Sequence, residues 1–171
     1  YLIAYPQSKV EEWNEGCNCN KPNRLGINDL EFVDQIIEQI QSEHHILEDE
    51  IYGTGYSQGA LFSQNLLCNR SDKFKAIASV AAPMSVQLSE ACNISDPTDY
   101  LSIHGKNDTV LPYLGRYHNN WGLISSPDAI SLIADLNQIN TEPTSTTVKE
   151  GLIETQYKND TNTTQLLTAV N

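Results

Sequence analysis

The run Gly53-Thr54-Gly55-Tyr56-Ser57-Gln58-Gly59-Ala60 decides how this chain is read. It holds the pattern Gly55-x-Ser57-x-Gly59. Residues 50–56 before it read as a strand, and residues 58–68 after it read as a helix. A serine at a tight strand-to-helix turn has its hydroxyl presented above a sheet, and small neighbours remove the Cβ atoms expected to clash there. Ser57 is therefore the candidate nucleophile. The backbone N–H of Gln58, the next residue, is the candidate oxyanion donor, a role that does not need the Gln58 side chain.

Outward from this turn, strand and helix signals alternate. Residues 1–5, Tyr-Leu-Ile-Ala-Tyr, read as a buried strand already under way. Residues 6–27 form a long loop holding Trp13 and two cysteines. Residues 28–42 read as a helix capped by Asn28 with Glu31 three residues on, and Leu30, Val33, Ile36, Ile37 and Ile40 give it one apolar face. Residues 75–81 fit a strand buried on both faces. Residues 82–98 read as loop, 99–104 as a strand, and 125–138 as a helix. Two or three strand-like runs follow from about residue 144. This alternation predicts an α/β fold with a mostly parallel sheet and crossover helices, in one domain over residues 1–171.

A net charge of −12 argues against nucleic acid or anionic lipid as a partner. No run of 18 apolar residues is present, so no membrane span is expected. Cys17, Cys19, Cys68 and Cys92 do not match paired zinc-ligand spacing, and no metal or cofactor is expected. Asn-x-Ser/Thr triplets at Asn69, Asn93, Asn107, Asn159 and Asn162 point to a secreted glycoprotein with two disulfides. Cys17 and Cys19 are expected to bond to Cys68 and Cys92 rather than to each other, in an order the sequence leaves open. The absence of a starting Met, with a strand already under way at Tyr1, reads as a mature or internal piece.

A serine hydroxyl needs a base, an acid that orients the base, and donors for the oxyanion. Asp108 is the candidate acid. It lies four residues after His104, just past the C-terminal end of a strand, where functional side chains of parallel sheets gather. His44 and His45 fit a helix C-terminus, where the dipole favours imidazolium charge. Trp121, Tyr113 and Tyr117 are candidates to line an acyl or phenolic pocket.

Tyr5-Pro6-Gln7, Trp13-Asn14 with nearby cysteines, Gly55-Tyr56-Ser57-Gln58-Gly59 and His104-Gly105-Lys106-Asn107-Asp108-Thr109-Val110-Leu111-Pro112-Tyr113 together resemble the secreted α/β-hydrolases. The closer likeness is to the polyhydroxybutyrate depolymerase and feruloyl or acetylxylan esterase group (carbohydrate esterase family 1-like), over roughly residues 1–140. The resemblance implies hydrolysis of a polysaccharide-linked ester or a polyester through an acyl-enzyme on Ser57, with Asp108 as triad acid. It also implies disulfides from the early loop to the helix after the nucleophile. In this family the order is Ser, Asp, His, with the histidine after a late strand. That places the triad histidine beyond Asn171, and a second oxyanion donor before Tyr1, so the fold is expected to be incomplete at both ends. His104 is implied to be structural, and His118 is a weaker candidate base. A glycan on Asn107 would obstruct the acid, so Asn107 is expected to be unmodified while Asn69, Asn93, Asn159 and Asn162 are open to glycans. The alternative is a non-catalytic secreted binding protein of the same fold.

Overall fold

A computed structural model describes residues 1–118 and 121–170. Its centre is a six-stranded sheet in the order β1-β2-β3-β8-β7-β6. These strands are Tyr52–Tyr56 (β1), Ala76–Val80 (β2), Asp99–Gly105 (β3), Thr163–Ala169 (β8), Leu152–Lys158 (β7) and Thr144–Lys149 (β6). The first four are parallel, and β7 and β6 continue as an antiparallel meander. The mostly parallel α/β architecture is as the alternation predicts.

Two helices carry most of the cover. The helix α3 (Gln58–Arg70) packs on β1 and β2, and α5 (Ser126–Leu136) packs on β8 and β3. Register aligns Ile77 with Tyr100 and Thr164, and Ser79 with Ser102 and Leu166, on that helix-covered face. There Ile77, Tyr100 and Leu166 join Leu66, Ile130 and Ile133 in the main core. The opposite face of β2 carries Ala76, Ala78 and Val80, which are only half-buried. The expectation that this strand is buried on both faces is thus corrected: the helices cover one side of it. A groove of about 410 Å3 lies along the strands, lined among others by Tyr52, Ala76, Ala78 and Leu101.

The helix α2 (Asp29–Glu43) starts where predicted. The Asn28 side chain accepts from the Glu31 N–H, and its own amide donates to the Glu31 carboxylate at 3.1 Å. Among the described residues, several elements lay outside the sequence reading, a 3-10 turn at Ser71–Lys73 after α3 being the smallest. Three others are larger. These are the short helix α1 (Lys21–Arg24), the helix α4 (Val86–Ala91) inside the predicted loop, and a two-stranded hairpin, β4 (Arg116–His118) with β5 (Trp121–Leu123).

Residues 1–5 differ from expectation. They form no strand, and Tyr1, Leu2, Ile3 and Tyr5 are exposed. An apolar segment is buried as a strand only where a ladder partner and a covering layer exist. Among the described residues none pairs with this segment or with the outer edge of β1.

The cysteine pairing is also corrected. Cys17 bonds Cys19, and Cys68 bonds Cys92, with Cα separations of 5.2 and 4.7 Å. Both fall in the range of about 4.4–6.8 Å that a disulfide bridges. Two residues of separation suffice because Asn18, between the cysteines, takes a left-handed conformation (φ 54°) that folds the chain back. The second bridge ties α3 to the end of α4.

Candidate active site

Ser57 is held in a backbone conformation that L-residues rarely adopt, φ 55° and ψ −120°. Such a conformation persists only where its surroundings enforce it. Here the Ser57 N–H donates to the Val80 carbonyl (2.9 Å), and the Ser57 carbonyl accepts from the Ala60 N–H (2.9 Å). The residue is pinned to β2 on one side and to α3 on the other. Its hydroxyl does not cap α3, so the helix leaves it for other work.

The two motif glycines have different reasons. A Cβ on Gly55 would lie 2.1 Å from the Gly59 carbonyl oxygen and 2.7 Å from Ser63 Oγ, so no other residue fits at 55. A Cβ on Gly59 would meet nothing within 4 Å. The steric demand expected of both glycines is therefore confined to Gly55. Gln58 opens α3, and the N–H groups of a helix's first turn have no intrahelical acceptor and carry the positive end of its dipole. The Gln58 N–H is therefore among the groups at this helix start that have no intrahelical acceptor.

Asp108 sits at the same edge of the sheet. It follows β3 as Ser57 follows β1, with β2 between, so the strand ends are about 10 Å apart. Its Oδ1 accepts from the Val110 and Leu111 N–H groups at 2.8 and 2.9 Å, and Oδ2 lies 3.3 Å from His104 Nε2. Partial burial pushes the carboxyl up. The Leu111 and Val110 donors and the His104 ring outweigh it and hold Asp108 below the usual aspartate value. It is thus an ionised, fixed carboxylate, half-buried at the sheet edge.

His104 is buried, and both its ring nitrogens are engaged. Nε2 faces the Leu111 carbonyl at 3.0 Å, and a carbonyl only accepts, so Nε2 bears a hydrogen. Nδ1 is paired with the Ser126 hydroxyl at 2.6 Å. The ring props the Asp108 loop and is not free to serve Ser57. His44 and His45 are exposed at the end of α2, in the segment leading to the opposite end of β1. His118 closes β4, and its side chain lies outside the described residues.

Of the aromatic candidates, Tyr113 is a core residue whose hydroxyl meets Thr168 Oγ1 at 3.1 Å and whose ring packs on His104. Tyr117 is exposed. Trp121 and Leu111 pack against the cluster of Ala60, Leu61, Ala82 and Leu123, whose first two residues lie in the first turn of α3 after Ser57. Tyr56 precedes Ser57 and is 72% exposed, a site-flanking ring the sequence reading passed over.

Glu15 was also missed. It is buried, and its Oε2 has no partner among the described residues. One carboxylate oxygen and the sulfurs of Cys17 and Cys19 lie within 4.8 Å of one another, but both sulfurs are in the disulfide, which leaves one ligand for any metal. Desolvation pushes the Glu15 carboxyl up to about 7, although a hydrogen bond with the Gln58 side chain lowers it; the Glu12 charge raises it further. The folded state holds this proton more tightly than the unfolded chain does. The associated stability is complete below about pH 4.5 and is lost as pH rises through about 7. The loss is on the order of 3 kcal/mol. Glu15→Gln is expected to raise the melting temperature near pH 8 by several degrees and to leave it unchanged near pH 4. Parallel melting curves for the two proteins across that range would contradict a buried, ionising Glu15.

No family model matches the chain. It is 35% identical over 100 residues to the probable feruloyl esterase C of Aspergillus niger, a match covering 58% of this chain and 36% of that protein. It is 32% identical over 113 residues to a bifunctional acetylxylan esterase/xylanase of Neocallimastix patriciarum, covering 66% of this chain and 15% of that one. The chain thus spans about a third or less of the length of these relatives. A solved thermostable esterase superposes with a TM-score of 0.49 at 23% identity, over 63% of this chain and 25% of that one. By its sequence relatives and its own sheet topology, the chain is related to the feruloyl and acetylxylan esterase group of α/β-hydrolases.

Proposed function

We propose that this chain is the nucleophile-bearing part of a serine esterase that cleaves feruloyl or acetyl esters of plant cell-wall polysaccharide. The observation that carries the reading is Ser57 in its enforced left-handed turn, with the ionised Asp108 at the same sheet edge. In this reading Ser57 Oγ attacks the ester carbonyl, the Gln58 N–H holds the oxyanion, and an acyl-enzyme is then hydrolysed. Asp108 orients the histidine that takes the Ser57 proton. Of the described strands, β8 is the parallel neighbour of β3 and ends at the same edge, which supports a reading in which that histidine follows β8. The relatives named for feruloyl and acetylxylan esters favour cell-wall esters over a polyester.

The setting is extracellular, in keeping with two disulfides in a chain of this size. Among the four proposed glycan acceptors, Asn69 and Asn93 are exposed, and Asn159 and Asn162 are half-buried. Asn107, beside the acid, is proposed to be unmodified.

The test is hydrolysis of methyl ferulate and of acetylated xylan by the full-length protein. Release of ferulate or acetate at enzymatic rates is expected. A folded protein that releases neither would leave the alternative, a carbohydrate-binding protein built on a hydrolase fold.

A further inference from the structure

The Gln58 side chain makes a two-point contact with the backbone of the early loop. Its Oε1 accepts from the Trp13 N–H at 2.9 Å, and its Nε2 donates to the Trp13 carbonyl at 3.0 Å. This pairing fixes the amide's orientation, because an N–H needs an acceptor and a carbonyl needs a donor. The buried Glu15 carboxyl lies against the same side chain, whose hydrogen bonding lowers its pKa against the larger effect of burial. One turn along α3, Phe62 stacks on the Trp13 ring (centroids 4.8 Å, planes 8° apart), and a turn further Asn65 Nδ2 donates to the Asn14 carbonyl at 2.8 Å. Residues 58, 62 and 65 thus form one stripe of α3 that grips residues 13–14. The gripped segment is itself tied down. The Asn14 N–H donates to the Asp29 carboxylate at 2.7 Å, Asn14 Nδ2 to the Ile27 carbonyl at 2.8 Å, and Asn20 Nδ2 to the Trp13 carbonyl at 2.7 Å.

The consequence concerns the oxyanion donor. The backbone N–H of Gln58 is the group placed against the developing charge, and the conformation that aims it is the strained one at Ser57. A helix's first turn has few intrahelical hydrogen bonds to hold it. Resting on the esterase reading above, we propose that Gln58 is a positioning residue: its side chain, clamped to Trp13, fixes the direction of its own backbone N–H in the oxyanion site. The clamp would contribute to the transition state more than to substrate binding, because the N–H meets full negative charge only there.

The test uses the full-length protein and an aryl fluorophosphonate, whose phosphorus bonds Ser57 Oγ as its proton passes to the base and fluoride leaves, through an oxyanion-stabilised transition state. Reactive sites are counted first, so that rates refer to folded protein. Gln58→Ala is expected to slow phosphonylation and to lower kcat by about 10- to 100-fold, with KM for methyl ferulate changed little. Gln58→Glu supplies a second readout. As a carboxylate it accepts from the Trp13 N–H but cannot donate to the Trp13 carbonyl; once protonated it does both. The groups around it are Glu15 and Glu12, with Asp29 on the Asn14 side, and their like charge favours the protonated form. The ratio of Gln58→Glu to wild-type rate should therefore rise several-fold from about pH 8 to about pH 5, a change that a merely structural loss would not give.

A Gln58→Ala rate equal to wild type, or a flat Gln58→Glu ratio with pH, would overturn the inference while leaving the esterase reading in place. No phosphonylation of folded wild-type protein would overturn both. If Gln58→Ala does not fold, the Gln58→Glu ratio decides alone.

Discussion

Ser57→Ala in the full-length protein is expected to lower kcat on methyl ferulate by on the order of 10^4- to 10^6-fold. That corresponds to about 5–8 kcal/mol of lost transition-state stabilisation. The size follows from covalent catalysis: without Oγ no acyl-enzyme forms, and only binding and oxyanion donation remain. The loss should be chemical and not structural. Alanine carries the same Cβ as serine through φ 55° and ψ −120°, and the Ser57 hydroxyl caps nothing in α3. Melting temperature should therefore stay within a degree or two of wild type, which a thermal melt run beside the kinetics would check. A residual rate within tenfold of wild type would remove Ser57 from the mechanism.

Asp108→Asn is expected to be the second largest loss, about 10^4-fold in kcat. Asparagine keeps Oδ1, so it can still accept from the Val110 and Leu111 N–H groups, and the turn should hold. What it loses is the charge that, in the proposed role, orients and stabilises an imidazolium. It also sets an amide N–H against the hydrogen on His104 Nε2, the nitrogen that lies 3.3 Å from Asp108 Oδ2 in the wild type. That conflict should cost about 1–3 kcal/mol of stability. The two effects separate readily: a loss confined to stability, with kcat of the folded fraction within tenfold of wild type, would make Asp108 a turn residue only.

Several parts of this structure were legible from residues alone, for physical reasons. The helix α2 carried its cap and its apolar spacing in plain view, and β1, Ser57 and α3 were marked by a change of period at a glycine-flanked serine. Asp108 was legible because it follows a strand that must be parallel to β1. The misreadings share a different origin. Residues 1–5 have the composition of a buried strand, but composition does not say whether a neighbouring strand is there to pair. The hairpin β4–β5 has strands of three residues each, too short for alternation to register. The Cys17–Cys19 bridge depends on the left-handed turn at Asn18; the residue type was a hint, since asparagine tolerates that region well. Glu15 gave no signal at all. A single acid in a polar loop is normally solvated, and only the packing of that loop against α3 shows that this one is buried.

The central claim is that Ser57 is an activated nucleophile on a hydrolase elbow. A fluorophosphonate probe incubated with the folded full-length protein, followed by digestion and peptide mass spectrometry, tests it most directly. The adduct should lie on Ser57 alone, form within minutes, and be absent from Ser57→Ala and from heat-unfolded protein. A folded protein that takes up no label, or takes it up on another residue, would contradict the claim.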